Sequence, residues 1–141
     1  MKIYIVSDHR GYKLKEELKK HFDLIDLGCN SDKSVDYPVY AFKLGEKVRN
    51  TDSLGIAICG SGIGISIACN KVKGIRCAKV NSIKDAIYTK KDNNSNVVAL
   101  SGEMNIKKAI RIVEEFINTD FSNEERHIKR IKEIEEYELN N

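Results

Sequence analysis

The sequence has no tryptophan, a single proline and only 7% aromatic residues. One proline in 141 residues argues against a proline-rich linker. No apolar run approaches the roughly 18 residues that a membrane span needs, so we expect no membrane partner. The first apolar stretch begins at Ile3 and is too short for a signal peptide. We therefore expect a cytoplasmic protein.

Cysteine and histidine are also sparse, with four and three residues respectively. No two cysteines are spaced C-x-x-C and the histidines are scattered, which argues against a zinc site. In the cytoplasm the thiols should be reduced, and most should be small buried residues. The cysteines are Cys29, Cys59, Cys69 and Cys77.

The bulk composition is that of an ordinary globular protein. Hydrophobic residues make up 41% of the chain and charged residues 32%, which excludes disorder. The net charge is +3, from 24 basic and 21 acidic residues, so a nucleic-acid partner is not indicated. The length predicts one domain covering residues 1–141.

Hydrophobic periodicity alternates between the strand and helix types along the chain. This order predicts an α/β fold in which helices cover both faces of a parallel sheet. The helices begin near Leu14, Pro38, Ile65, Ile83 and Ile106. The five predicted strands lie at residues 2–7, 24–27, 54–59, 75–80 and 97–100.

Ligands of such sheets bind outside the carboxyl ends of the strands. This rule selects four places in the sequence. They are Ser7-Asp8-His9, the segment 59–64, and the loops after Val80 and Leu100.

The most distinctive segment is Cys59-Gly60-Ser61-Gly62-Ile63-Gly64, which follows a wholly apolar strand. Its glycines let backbone N–H groups approach an anion, and a helix begins directly after them. A thiol loses its proton more readily close to a helix N-terminus, so Cys59 is a candidate base or nucleophile. The Ser61 hydroxyl can both donate and accept a hydrogen bond. The spacing equally fits a buried small Cys59 and a turn residue at Ser61.

Asp8 and His9 stand at the end of the first strand. Asp8 fits two interpretations, the N-cap of the next helix or half of a polar pair with His9 that faces the Cys59 loop. The sequence leaves both open.

The last segment, residues 123–139, is heavily charged and has a narrow apolar stripe. Such a stripe suits docking on a second subunit better than filling a core. Arg126 and Arg130 share one helix face, which suits a phosphate dianion or, alternatively, a solvated charged surface. The stripe consists of Ile128, Ile131 and Ile134.

Five segments occur together in a characteristic order, and with them the chain resembles the ribose-5-phosphate isomerase B family, which is grouped with the galactose-6-phosphate isomerase subunits. The resemblance covers essentially the whole chain. The segments are Ser7–Gly11, Ser34–Pro38, Ile58–Lys71, Asn93–Val97 and Arg126–Arg130.

The resemblance implies a Rossmann-like, three-layer αβα sandwich with a five-stranded parallel sheet. It implies a homodimer or a dimer of dimers, with active sites between subunits and the C-terminal helix docked on a partner. The implied reaction interconverts ribose 5-phosphate and ribulose 5-phosphate through an enediolate, within the pentose phosphate pathway. The resemblance implies neither a metal nor an organic cofactor.

The resemblance also implies catalytic roles. Cys59 would be the base that moves a proton between C2 and C1, and Ser61 would handle the sugar oxygens. The enediolate would be held by the amides of the Cys59 loop, namely those of Gly60, Gly62 and Gly64.

Binding roles follow from the same resemblance. Asp8 and Tyr37 would contact the open-chain sugar, and Asn93 would reach it from the neighbouring subunit. The phosphate would be surrounded by His9, Arg126, His127 and Arg130.

Two positions depart from the family pattern. Asp92 stands where many members carry a histidine assigned to opening the sugar ring, and a carboxylate is the poorer proton donor at neutral pH. Glu103 stands where a basic residue is common, and its charge would repel a phosphate. These departures leave two alternatives open, an isomerase of a six-carbon sugar phosphate such as galactose or allose 6-phosphate, and a non-catalytic module that binds a sugar phosphate.

Overall fold

A computed structural model describes residues 1–141 as five parallel strands and six helices. The sheet order is β2-β1-β3-β5-β4. The predicted α/β fold with a five-stranded parallel sheet is confirmed. The elements are β1 Ile3–Ser7, α1 Tyr12–Lys19, β2 Ile25–Asp26, α2 Tyr37–Val48, β3 Leu54–Cys59, α3 Ile63–Cys69, β4 Cys77–Lys79, α4 Ile83–Asn93, β5 Val97–Ser101, α5 Ile106–Asn118 and α6 Glu125–Leu139.

Two apolar cores lie on opposite faces of the sheet and make the three layers. Successive strand residues point to opposite faces, so Ile56 and Ile58 enter one core while Ala57 and Cys59 enter the other. The first core is closed by α1, α4 and α5, and the second by α2 and α3. Strand β3 lies between β1 and β5 and is buried along its whole length.

The edge strand β4 is shorter than the strand predicted over residues 75–80. The N–H of Ile75 closes a turn onto Val72, and the N–H of Arg76 donates to the Asn96 side chain at 2.8 Å. Because these two amides are used locally, regular pairing begins only at Cys77. The periodicity of side chains does not show which backbone groups such local bonds consume.

Helix α6 packs against α4 of its own chain. Its Glu138 carboxylate accepts from the Gly74 N–H at 3.2 Å, while Ile134, Tyr137 and Leu139 remain exposed. Docking of this helix on a partner subunit stays a prediction. No helix, α6 included, combines the length and the apolar character that crossing a bilayer requires.

The side chain of Lys15 is fully buried and is held by an ion-pair network at the β2 edge. Its ammonium group lies 2.6 Å from Asp26 Oδ2, and the Lys19 ammonium lies 2.8 Å from the same oxygen. Burial opposes ionisation of Asp26, but hydrogen bonds from Lys15, Lys19 and the Gly28 N–H outweigh it and lower its pKa. The carboxylate therefore compensates a buried charge.

We expect Asp26→Asn to lower the free energy of unfolding by about 3 kcal/mol at pH 7, because it leaves the buried ammonium short of a counter-charge. The folded-state pKa of Asp26 is lower than its ordinary value of 3.8. The contribution of Asp26 is therefore full above that value and is lost as the pH falls through the lowered one. Urea titrations at several pH values should show the two proteins converging in acid. The exposed pair Lys20–Glu17 is the control, since Glu17→Gln should cost under about 0.5 kcal/mol.

Candidate active site

Cys59 is the last residue of β3, and its side chain is only 4% exposed. Its sulfur belongs to the second apolar core and has one polar contact, because the Gly62 N–H donates to Sγ at 3.2 Å. The turn that makes this contact requires a glycine, since Gly62 has φ +79° and a Cβ there would lie 2.8 Å from the Leu100 carbonyl carbon. The loop therefore presents a peptide dipole to the thiol.

The loop after Cys59 offers unused hydrogen-bond donors. The backbone N–H groups of Gly60, Ser61 and Gly64 have no acceptor in the chain. The exposed Ser61 accepts from the Ile63 N–H at 3.1 Å, which leaves its hydroxyl proton free to donate. These donors can receive negatively charged oxygens beside the sulfur.

Asp8 shapes the turn after β1. Its Oδ1 accepts from the N–H groups of Arg10 at 2.9 Å and Gly11 at 3.0 Å, which is an Asx turn. The N-cap of α1 is Gly11, so the N-cap interpretation of Asp8 is wrong. Its Oδ2 makes no bond in the chain, and no buried side-chain oxygen lacks a partner, so this oxygen is accessible.

His9 and Tyr37 flank the same loop. His9 Nδ1 accepts from the Val35 N–H at 3.2 Å, which fixes the ring and leaves Nε2 without a partner. Tyr37 opens α2, and a Cβ added to Gly64 would lie 2.8 Å from its hydroxyl oxygen. The Tyr37 side chain therefore borders the Cys59 loop, and His9 lies at the same end of the sheet because β1 and β3 are neighbours. The Cys59 cluster below denotes Asp8, His9, Tyr37 and residues 59–64.

A second group of candidate residues, the α6 cluster, lies at the end of α4 and the start of α6. Asp92 Oδ1 is 3.3 Å from His127 Nε2, and Arg126 Nε is 3.4 Å from the same nitrogen. A groove of about 900 Å³ runs between α6 and β4. All members of the α6 cluster except Arg126 line this groove. The α6 cluster consists of Asp92, Asn93, Arg126, His127 and Arg130.

The two clusters lie at opposite ends of the strands. The Cys59 cluster follows the carboxyl ends of the strands, whereas α4 runs back and ends where β5 begins. Strand β3 has six residues, so the two ends of the strands are roughly 20 Å apart. One chain therefore does not bring Arg126, His127 and Arg130 to Cys59, and their convergence on one substrate requires a second copy. That convergence stays a prediction.

The sequence profile described as Ribose/Galactose Isomerase matches residues 3–134. The chain belongs to the ribose/galactose isomerase family.

Similar members of the family cover the chain almost completely. A putative sugar phosphate isomerase of Bacillus subtilis is 42% identical over 150 aligned positions, which cover 100% of this chain and 99% of that protein. A probable ribose-5-phosphate isomerase B of Mycoplasma genitalium is 41% identical, covering 96% and 95%. The crystal structure of the M. genitalium enzyme with bound ribulose 5-phosphate has a TM-score of 0.91 at 42% identity, covering 99% and 97%. The Clostridium thermocellum enzyme has a TM-score of 0.91 at 39% identity, covering 99% of each chain.

In this ribose/galactose isomerase, the residues after β5 also support the Cys59 loop. The Ser101 hydroxyl donates to the Gly60 carbonyl at 2.7 Å, and the Gly102 N–H donates to the Cys59 carbonyl at 2.8 Å. Sequence reasoning assigned these two residues no role, although the strand-edge rule selected the loop after Leu100. The rule locates a loop but not the bonds inside it.

Glu103 does not face the loop as an uncompensated charge. Its Oε1 accepts from Arg10 Nη2 at 3.3 Å. Arg10 lies inside a motif that the sequence singled out, but its partner is 93 residues away. Only the fold brings the two together.

Proposed function

We propose that this sugar-phosphate isomerase interconverts ribose 5-phosphate and ribulose 5-phosphate, with Cys59 as the base. The observation that carries the proposal is a sulfur held by the Gly62 N–H beside loop amides that have no acceptor. The names of the similar proteins support the substrate, as does the bound ribulose 5-phosphate in the Mycoplasma structure. All 141 residues would form one catalytic domain in the cytoplasm.

In this mechanism the Cys59 thiolate removes the proton from C2 of the open-chain aldose, and the electron pair moves onto O1 as an enediolate. The amides of Gly60, Ser61 and Gly64 are placed to stabilise that oxygen, and one such donor contributes roughly 3–4 kcal/mol. The thiol then returns its proton to C1. The Ser61 hydroxyl moves a proton from O2 to O1, so the ketose forms with no net change in protons.

A second copy of the chain would complete the site. Its α6 cluster would supply Arg126, His127 and Arg130 to the phosphate and Asn93 to the sugar. The separation of the two clusters by the length of the strands and the open groove beside α6 support this arrangement. The assembly would be a homodimer or a dimer of dimers that needs no cofactor.

Ring opening would fall to the pair formed by Asp92 and His127. The Asp92 carboxylate lies 3.3 Å from His127 Nε2, so it can orient the imidazole ring. In general, a histidine side chain is a better proton donor near neutral pH than a carboxyl group. In this assignment Asp92 acts through His127.

A coupled assay over a panel of sugar phosphates tests the proposal. We expect kcat/KM to be at least about tenfold higher for ribose 5-phosphate than for galactose or allose 6-phosphate, because substrate length must match the distance from phosphate to sulfur. The opposite ranking would favour the six-carbon alternative. Saturable binding without product would instead indicate a binding module.

A further inference from the structure

Arg10 projects from the Asx turn of Asp8 directly over the start of the Cys59 loop. The three atoms nearest to a Cβ built on Gly60 all belong to the Arg10 guanidinium group, and they are Cζ, Nη1 and Nε. The guanidinium group therefore lies against the Gly60 backbone. Gly60 has no left-handed φ, so its requirement for glycine is the space that Arg10 occupies.

The guanidinium group has unused binding capacity. Its one side-chain partner is Glu103, which accepts from Nη2 at 3.3 Å, while Nε and Nη1 have no acceptor in the chain. The side chains of Arg10 and Glu103 are 58% and 79% exposed. An ion pair this exposed adds little stability, so an incoming anion can replace the carboxylate at small cost.

The position of Arg10 indicates which anion it would meet. The reacting carbons must lie beside the buried sulfur of Cys59, where the loop amides already face the developing charge. Arg10 is exposed at the rim of that loop and follows His9, whose Nε2 is also without a partner. A cation at the outside of the loop contacts the end of the substrate that is distant from the reacting carbons. A planar guanidinium group suits a phosphate dianion at that end.

We propose that Arg10 is a substrate-positioning residue that binds the phosphate from the same chain as Cys59, and that Glu103 holds the guanidinium group while the site is empty. This inference rests on the proposed isomerase function. It gives Glu103 a role that its charge alone does not suggest.

Arg10→Ala tests the inference. We expect KM for the preferred sugar phosphate to rise about tenfold, with kcat changed by less than about threefold, because the lost contact is the same in ground and transition states. Calorimetry with inorganic phosphate should show a matching increase in Kd. Arg111→Ala, which removes an exposed arginine from α5, is the control for net charge and should change neither quantity.

A rescue variant separates phosphate binding from a structural role. The side chains of residues 10 and 103 meet, so Arg10→Ala/Glu103→Arg should return a guanidinium group to the rim and restore KM to within about threefold of wild type. Glu103→Gln should lower KM, because no carboxylate then competes with the phosphate for the Arg10 guanidinium group. Failure of this rescue, or unchanged KM and phosphate Kd in Arg10→Ala, would overturn the inference while leaving the isomerase proposal intact. If the wild type turned over no sugar phosphate, the function proposal would fail, and the phosphate Kd would still decide the role of Arg10.

Discussion

Cys59→Ser is expected to lower kcat by about 10²–10⁴-fold, the range that a positioned general base contributes. Serine is close to cysteine in size, and its oxygen can still accept the Gly62 N–H that now reaches Sγ at 3.2 Å. The hydroxyl group is not ionised near neutral pH, so it cannot remove a proton from C2. The substitution therefore changes the base while it preserves the loop.

Cys69→Ser is the matched control, because Cys59 and Cys69 are buried thiols in the same core. The Cys69 sulfur is 4.0 Å from the Ala41 carbonyl oxygen and Cys69 belongs to neither cluster, so kcat should stay within about twofold of wild type. Steady-state kinetics and thermal denaturation of both variants make the comparison. Wild-type turnover in a folded Cys59→Ser protein would remove Cys59 from the mechanism.

The apolar pattern predicted the strands best where both faces are buried. The uninterrupted run Leu54–Cys59 is bounded by polar residues and glycine, and the structure has β3 over those same residues. Helix α4 ends at Asn93 because the left-handed Asn94 (φ 46°) stops it, and the apolar pattern does not mark that residue. Local sequence determines a buried strand such as β3, so reasoning from the apolar pattern recovers its bounds.

The arrangement of the candidate site was less accessible to sequence reasoning. The periodicity gives the order of strands along the chain but not their order in the sheet, where β5 lies between β3 and β4. That order places Ser101 against Gly60 and brings Glu103 to Arg10. The return of α4 across the sheet places the α6 cluster beyond the amino ends of the strands, far from the Cys59 cluster.

This separation has a direct functional consequence. If each site combines the Cys59 cluster of one chain with the α6 cluster of another, two defective chains can repair each other. In a symmetric dimer, a hybrid of Cys59→Ser and Arg130→Ala subunits carries one site with both defects and one with neither. Random pairing makes about half of the dimers hybrids, so co-expressed chains should recover about a quarter of wild-type activity when substrate is well below KM.

The control pairs Cys59→Ser with Ser61→Ala. Both changes lie in the Cys59 cluster, so each site of a hybrid retains one defect and no activity should be recovered. Two affinity tags on the co-expressed chains allow the hybrid to be purified and its kcat/KM measured against both parents. Activity no higher than the mean of the two parents would place Arg130 outside the site of a neighbouring subunit. Recovery in the first pair alone would assign the sulfur and the guanidinium group to different chains of one catalytic site.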